Sequence, residues 1–250
     1  DFCLSRGLGD VYKRQVHIIG KDIIWHHSVI WGSLVLSLGL PLPKTIFVHG
    51  FLTIGGKKMS KSLGNVIDPF ELVKKYGIDA VRYFLLREIL PTEDGDFTDE
   101  KFKKRYNSDL AQGLGNLAAR VITMAAKTNS KLKILNPKQI QNSKFKTIIN
   151  KTWRDYHKAL EEFKFNEALM VIWDLISFCD KYIEKEKPWE LLKLKIKSEK
   201  LKIIINNLLF ALTNIAKMLQ PFLPETSEKI LKQIKTKKRK VLFPKIDKFI

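Results

Sequence analysis

The residues best suited to chemistry lie in one short segment, 55–65, which combines three lysines, two serines and three glycines. Glycines let the backbone approach a ligand closely, and lysine ammonium groups stabilise negative charge that develops on phosphate oxygens. Phosphoryl chemistry on ATP depends on such charge stabilisation more than on a protein nucleophile. The composition therefore predicts a loop that closes over phosphates, although a solvated basic surface loop would also be rich in lysine.

The elements before this segment predict a βαβ unit. An apolar run at 16–19, a helical pattern at 22–38 and a second apolar run at 45–48 follow one another. Strands joined by such a crossover are parallel, and the ligands of parallel sheets bind beyond the carboxyl ends of the strands. Residues 20–22 and the segment after residue 50 occupy those ends, so both stand where a ligand would bind.

From residue 68 onward the sequence is dominated by helical patterns. Pro69 fits the first helical position after an Asp cap, a second short helix is predicted at 78–87, and residues 91–96 are the best linker candidate. The later helical patterns cover 99–127, 144–162, 166–186, 198–219 and 225–234. Five helices with short connections predict an antiparallel bundle.

The predicted domain organisation has three parts. Residues 1–15 show neither a helical nor a strand period and resemble translated adapter sequence at the ends of environmental sequence fragments, so we interpret them as a foreign leader. Residues 16–95 form the α/β part and residues 96–250 the helical part. The protein is expected to continue upstream of residue 16, which would make this chain a fragment.

The basic residues are unevenly distributed along the chain. Residues 1–100 hold 12 Lys or Arg against 12 Asp or Glu, whereas residues 101–250 hold 33 against 14. A neutral first part and a basic second part suggest separate roles, and nucleic acid is the natural polyanionic partner of the second. A lysine-rich genome that places Lys on every solvated helix face would produce the same excess.

The composition also bears on the compartment of the protein. The two cysteines, Cys3 and Cys179, are too few for a zinc site or a disulfide framework. The longest apolar stretch, 29–42, is too short and too often interrupted by Gly and Pro to span a bilayer. No secretory signal is recognisable at the amino terminus. We therefore expect a cytoplasmic location, with no membrane partner and no metal site in this chain.

The segment 58–62 reads Lys-Met-Ser-Lys-Ser and is followed by Leu-Gly-Asn and by Asp68-Pro69. This pattern resembles the signature loop of the class I aminoacyl-tRNA synthetases, where the loop stabilises the attack of an amino acid carboxylate on the α-phosphate of ATP. The resemblance implies that Lys58 and Lys61 are catalytic residues that bind the departing pyrophosphate. It further implies that Ser60 belongs to the ATP site.

Three further segments resemble the methionyl members of this family. Residues 17–27 resemble their last catalytic strand and the helix after it, residues 76–88 their helical connector, and residues 109–120 the start of their anticodon-binding bundle. The resemblance implies an α/β plus all-α fold. Its first part would be the second half of a Rossmann-like nucleotide-binding catalytic domain, followed by an antiparallel anticodon-binding helix bundle.

The first of these matches also assigns small-molecule contacts. It implies that Gly20 and Asp22 lie near the adenosine ribose in the ATP site. It implies that Ile23 and His27 line a methionine pocket, where an aliphatic wall and an imidazole edge suit a thioether.

Three residues of the helical part are assigned to the anticodon. Asn116 and Arg120 are one helical turn apart, so both can project from one face, and Trp189 follows a Lys-Pro pair. The resemblance implies that they read a CAU anticodon, because splayed RNA bases are bound by aromatic stacking and edge hydrogen bonds. Without it, they would be interpreted as a helix-packing Asn, a solvent-facing Arg and a core Trp.

Taken together, the resemblance implies ATP-dependent ligation of L-methionine to its tRNA, the initiator included, through methionyl-adenylate and with ATP as its Mg²⁺ complex. Without the first catalytic half the chain is expected to be inactive alone, and zinc is possible only in that missing half. Two alternatives stay open. Another class I amino acid is possible, because the leucine, isoleucine, valine and cysteine enzymes have similar loops, and so is a non-catalytic tRNA-binding module.

Overall fold

The structure, a computed structural model, describes residues 15–60, 64–128, 143–193 and 199–246. Within these residues the chain folds as two compact units. The first unit comprises the residues up to Val66 together with Ile89–Phe97. The second comprises Ile67–Glu88 and the residues from Thr98 onward.

The first unit contains the predicted βαβ element. Strand β1 (Val16–Gly20) pairs in parallel with β2 (Thr45–His49), and the two strands are joined by helix α1. Helix α1 is π-helical over His26–Trp31 and α-helical over Gly32–Ser37. The prediction of two parallel strands with a helical crossover is therefore confirmed.

A second sheet carries the start of the predicted loop. Strand β3 (Leu52–Ile54) turns back into β4 (Lys57–Lys58) through Gly55 and Gly56. Both glycines have positive φ, 58° and 75°, which residues with a Cβ seldom adopt. The hairpin places Lys58 directly opposite Thr53 of β3.

The prediction of a linker over 91–96 is wrong at its carboxyl end. Residues Gly95–Phe97 form strand β5, which pairs in parallel with β3 on the side opposite β4. The Thr53 hydroxyl donates to the Asp96 carboxylate at 3.1 Å, which adds a side-chain link to the ladder. A Gly-Asp-Phe segment has no alternation that would mark a strand in the sequence, because its strand character comes from the distant partner.

The second unit is helical. Helix α2 (Pro69–Tyr76) begins after Asp68, whose carboxylate accepts the Phe70 N–H at 2.8 Å, and α3 (Ile78–Glu88) follows. The N-cap predicted from the Asp-Pro pair is therefore confirmed. The remaining helices are α4 (Asp99–Arg105, Tyr106–Gly115 and Asn116–Lys127 in direct succession, the middle part π-helical), α5 (Ser143–Glu161), α6 (Phe165–Glu186), α7 (Pro188–Lys193), α8 (Glu199–Leu219) and α9 (Pro224–Thr236).

The helical predictions after residue 98 are confirmed for α4, α5, α6, α8 and α9, and α7 was not predicted. The bundle core is formed by apolar side chains that are almost completely buried. They include Leu110, Leu114 and Leu117 of α4, Leu169, Ile172 and Leu175 of α6, and Ile205, Leu208 and Leu212 of α8.

Helices α2 and α3 pack with the bundle, although they precede the domain boundary expected at 95–96. Tyr83 of α3 is 1% exposed, and its ring lies 4.6 Å from the Trp173 ring of α6 between centroids. The Arg82 guanidinium donates to the main-chain carbonyls of Pro221 and Phe222 at 2.7 and 2.8 Å. The functional boundary at 95–96 stays a prediction, since packing alone does not define it.

Helix α8 is long and apolar enough to cross a membrane, and among the described residues it is the one helix with that property. Within its apolar window, 72% of the residues are buried inside the protein. This degree of burial is that of the central helix of a bundle.

Candidate functional site

The residues predicted for the small-molecule site lie in the first unit, at the carboxyl end of β1 and on the β3–β4 hairpin. Gly20 ends β1, and Asp22 and Ile23 form the 3₁₀ turn that follows. A Cβ on Gly20 would lie 2.7 Å from a carboxylate oxygen of Asp22, so glycine leaves room for that carboxylate to fold back over the strand end. The structure thus brings Gly20 and Asp22 together at the expected ligand-binding edge of the sheet.

His27 is held between two aromatic side chains. Its Nε2 lies 2.8 Å from Nδ1 of His17, so one ring nitrogen donates a hydrogen bond to the other. On its other side the His27 ring stacks on Trp31, with centroids 4.8 Å apart and planes 10° apart. Trp31 therefore packs against the predicted pocket residue. His17 was missed, because nothing local in the sequence links two histidines ten residues apart.

Ile23, the other residue predicted for the methionine pocket, is 44% exposed. The described part of the first unit therefore does not enclose a pocket around it. The assignments of Ile23 and His27 to methionine remain predictions.

The structure describes the start of the signature loop up to Ser60 and its end from Gly64. The Ser60 N–H donates to the Asn65 side-chain carbonyl at 2.8 Å, and the Asn65 amide donates to the Lys58 carbonyl at 3.2 Å. Asn65 thereby ties the two ends of the loop together, a role that its place in the motif did not reveal. Lys61, the second predicted catalytic lysine, and Ser62 lie outside the described residues.

Lys58 and Lys21 approach the same aromatic ring. The Lys58 ammonium lies 4.3 Å and the Lys21 ammonium 4.6 Å from the centroid of Phe51. Lys21 also donates to both carboxylate oxygens of Asp94 at 2.7 Å. This hydrogen bond, followed by the one from the Phe51 N–H, lowers the pKa of Asp94 below its ordinary value. Phe51 and Asp94 were missed, since they belong to segments distant in the sequence.

The residues predicted for the anticodon lie in the second unit. Arg120 of α4 has its guanidinium carbon 5.8 Å from the centroid of Trp189 on α7, so the structure brings these two residues together. Trp189 is only partly buried, unlike a core tryptophan, and Asn116 is exposed one helical turn before Arg120. A single face of the bundle thus presents an amide, a guanidinium and an indole.

Two acidic residues of α6 hold Arg120 in place, and the sequence did not indicate them. The Arg120 guanidinium lies 3.4 Å from the Asp180 carboxylate and 2.5 Å from that of Glu184. Burial raises the pKa of Asp180, while the nearby Arg120 charge opposes that rise. Beside them is an open cleft of about 420 Å³ that includes Gly113 and Trp173 in its lining.

Among the described residues, no group of three or more His, Cys, Asp or Glu side chains is arranged to hold a metal ion. The polar groups that the structure does gather are lysines beside β1 and the hairpin, and the Arg120 cluster on the bundle. The first arrangement suits an anionic ligand, and the second suits flat, hydrogen-bonding bases.

Two family models match successive parts of the chain. The family model described as tRNA synthetases class I (M) matches residues 9–122. The family model described as the anticodon-binding domain of tRNA ligase matches residues 142–248. Together the two matches extend over both described units.

Curated relatives are named methionine–tRNA ligases. The methionine–tRNA ligases of Thermotoga maritima and Clostridium perfringens are 41% and 43% identical over 89% and 91% of this chain, which in each case spans 36% of the relative. The chain thus spans little more than a third of the length of these relatives.

A solved structure, the methionyl-tRNA synthetase of Mycobacterium tuberculosis in complex with methionyl-adenylate, superimposes with a TM-score of 0.82 at 35% identity. That likeness covers 91% of this chain and 45% of the other.

Proposed function

The chain belongs to the methionyl-tRNA synthetase family of class I tRNA synthetases, and from this premise we propose that it takes part in ATP-dependent ligation of L-methionine to tRNA. The observation that carries the proposal is the convergence of two segments. Lys21, between Gly20 and Asp22 at the end of β1, and Lys58, at the start of the signature loop, contact one ring. The strand end and the loop therefore border one common space.

The proposed chemistry is formation of methionyl-adenylate. A carboxylate oxygen of methionine attacks the α-phosphorus of ATP, a phosphoric–carboxylic anhydride forms, and pyrophosphate leaves with the electron pair of the broken bond. No protein nucleophile is needed, so the protein acts by positioning groups and by stabilising charge.

Each residue predicted for the small-molecule site has a proposed place in this step. Lys58 and Lys61 stabilise the charge on the departing pyrophosphate, and Ser60 helps to bind ATP, which enters as its magnesium complex. Gly20 and Asp22 contact the ribose of the nucleotide. Ile23 and His27 line the methionine pocket, with the His27 ring oriented by the hydrogen bond to His17 and the stack on Trp31.

The bundle is proposed to bind the CAU anticodon of the methionine tRNAs, the initiator included. Trp189 offers a partly exposed ring for stacking, and Asn116 and Arg120 offer hydrogen-bonding groups at the same surface. The basic excess after residue 100 favours contact with the RNA backbone. We place this reaction in the cytoplasm.

Residues 16–250 alone are expected to show no methionine-dependent exchange of pyrophosphate into ATP, because the relatives are nearly three times as long as the matched part. The measurement is exchange of labelled pyrophosphate with and without methionine. Methionine-dependent exchange by the isolated chain would contradict this expectation.

A chimera tests the proposed function itself. It joins residues 16–246 to the part of the Thermotoga maritima ligase that precedes the matched segment, and it should restore methionine-dependent exchange. Simultaneous Lys58→Gln and Lys61→Gln substitutions in the chimera should abolish that exchange. A well-folded chimera that binds the anticodon stem-loop but lacks exchange would favour a non-catalytic tRNA-binding module. Exchange that depends on another amino acid in the complete natural protein would favour a different class I synthetase.

A further inference from the structure

Phe51 stands between the end of β2 and the start of β3, and its main chain is fixed on both sides. Its N–H donates to the Asp94 carboxylate at 2.7 Å, and its carbonyl accepts the Gly95 N–H at 2.9 Å. Gly50 makes this close approach possible, because a Cβ there would lie 2.1 Å from the Glu93 carbonyl oxygen. The ring of Phe51 therefore projects from a backbone that has little freedom to move.

The lysine that rests on this ring is also fixed at its main chain. Lys58 lies opposite Thr53 in the hairpin, and its carbonyl accepts a hydrogen bond from the Asn65 amide. The ammonium group reaches the Phe51 ring at 4.3 Å from the centroid. The main chain of Lys58 is held by the hairpin and its ammonium group by the Phe51 ring. A lysine without such a contact would distribute its ammonium group over many rotamers.

Lys21 contacts the same ring from the end of β1, and Asp94 binds both Lys21 and the main chain of Phe51. The Lys21 ammonium lies 4.6 Å from the ring centroid and binds both oxygens of Asp94, which in turn accepts the Phe51 N–H. The negative charge of Asp94 is therefore paired with Lys21. Among the described residues Lys58 has no carboxylate within ion-pair distance, although its charge contributes to the lowered pKa of Asp94, so an anion can approach its ammonium group.

We propose that Phe51 is a positioning residue for the adenylation step: its ring holds the Lys58 ammonium where it meets the phosphate oxygens of ATP. The inference rests on the proposed function, since it names what places a lysine of that site. An ammonium over an aromatic face is attracted by the negative charge of the ring face, which favours one location without neutralising the cation. A carboxylate in the same place would bind Lys58 but would also repel the phosphates.

The experiment uses the whole chain with its lysines converted to ¹³C-dimethyl-lysine, followed by NMR. A dimethylammonium group over a ring face is shifted upfield by the ring current, and a Lys58→Arg variant identifies the Lys58 signal. Tripolyphosphate is then added at near-physiological salt, and its affinity is measured on that signal alone. Binding elsewhere on a chain of net charge +19 therefore does not enter the measurement.

Three variants separate positioning from packing. Phe51→Leu should remove the upfield shift of Lys58 and weaken tripolyphosphate binding about two- to five-fold, the range of one exposed cation–π contact. Phe51→Tyr keeps an aromatic face and should retain both properties. Phe70→Leu is the matched control, because that ring is 81% exposed in helix α2, and it should change neither.

The outcomes distinguish this inference from the proposed function. Absence of an upfield Lys58 signal in the parent chain would overturn the inference, as would unchanged tripolyphosphate affinity in a folded Phe51→Leu variant. If Phe51→Tyr behaved like Phe51→Leu, the ring face would not be the cause and the inference would again fail. If the chimera exchanged pyrophosphate with no amino acid, the proposed function would fail independently of these signals.

Discussion

Replacement of Trp189 by alanine is expected to weaken binding of a CAU anticodon stem-loop by about 1–3 kcal/mol, the value of one base stacked on an aromatic side chain. The partly exposed indole offers a flat surface beside Arg120, whose guanidinium carbon lies 5.8 Å from the ring centroid. The substitution removes that surface and the contact with the guanidinium. The measurement is the dissociation constant of the stem-loop at one fixed salt concentration, because the backbone contribution depends on salt.

Two controls make the Trp189 result specific. Trp189→Phe keeps an aromatic face and should retain most of the affinity. Trp25→Ala removes an equally large side chain that is 63% exposed in the first unit, and it should leave stem-loop binding unchanged. An affinity of Trp189→Ala equal to that of the parent chain, with the helices intact by circular dichroism, would remove Trp189 from the anticodon site.

The surroundings of Arg120 determine how this surface can act. Asp180 and Glu184 hold the guanidinium, so its direction is set before any RNA binds. A base that stacks on Trp189 would therefore meet a guanidinium already in place, which lowers the ordering cost of binding. The acidic pair also keeps negative charge next to the site, so phosphates must lie away from it.

Replacement of Gly50 by alanine is expected to destabilise the first unit by roughly 3 kcal/mol, at the upper end of the range for overpacking. The added Cβ would lie 2.1 Å from the carbonyl oxygen and 2.3 Å from the carbonyl carbon of Glu93. These are backbone atoms, so no side-chain rotation can relieve the clash. Moving them would break the Phe51 N–H bond to Asp94 and the Gly95 bond to the Phe51 carbonyl.

Native-state amide exchange of strands β1, β2 and β3 measures this effect in the first unit alone. Gly32→Ala is the matched control, because the nearest atom to its added Cβ would be a Leu42 methyl at 3.9 Å, an ordinary contact. That variant should be neutral or slightly stabilising, since alanine favours a helix over glycine. Equal protection in the two variants would show that the approach of Gly50 to Glu93 does not constrain the fold.

Local patterns were sufficient to predict most of the secondary structure. The apolar runs at 16–19 and 45–48 became β1 and β2, and the Asp68-Pro69 pair became the start of α2. The five long helical patterns became α4, α5, α6, α8 and α9. These features depend on neighbours within one or two turns of chain, so periodicity and capping chemistry record them directly.

The short elements were not predictable in this way. Strand β5 forms because its backbone hydrogen-bonds to β3, and α7 is only six residues long, too short to show a clear helical period. Tyr83 and Arg82 of helix α3 pack against the bundle, a set of contacts that no local pattern around them indicates. Such choices depend on the free energy of tertiary contacts, which a local pattern does not contain.

Residue types and their spacing indicate which chemistry is possible, whereas the folded chain decides which groups meet. Lysines and glycines in segment 55–65 predict a phosphate loop, and the family resemblance predicts that Asn116, Arg120 and Trp189 contact an anticodon. Only the folded chain places Lys58 on Phe51 and Arg120 between the α6 acids and Trp189. The physical reason is the sequence separation over which each property is set. The type of a residue sets its charge and hydrogen-bonding capacity, whereas its position depends on packing between residues far apart in the chain.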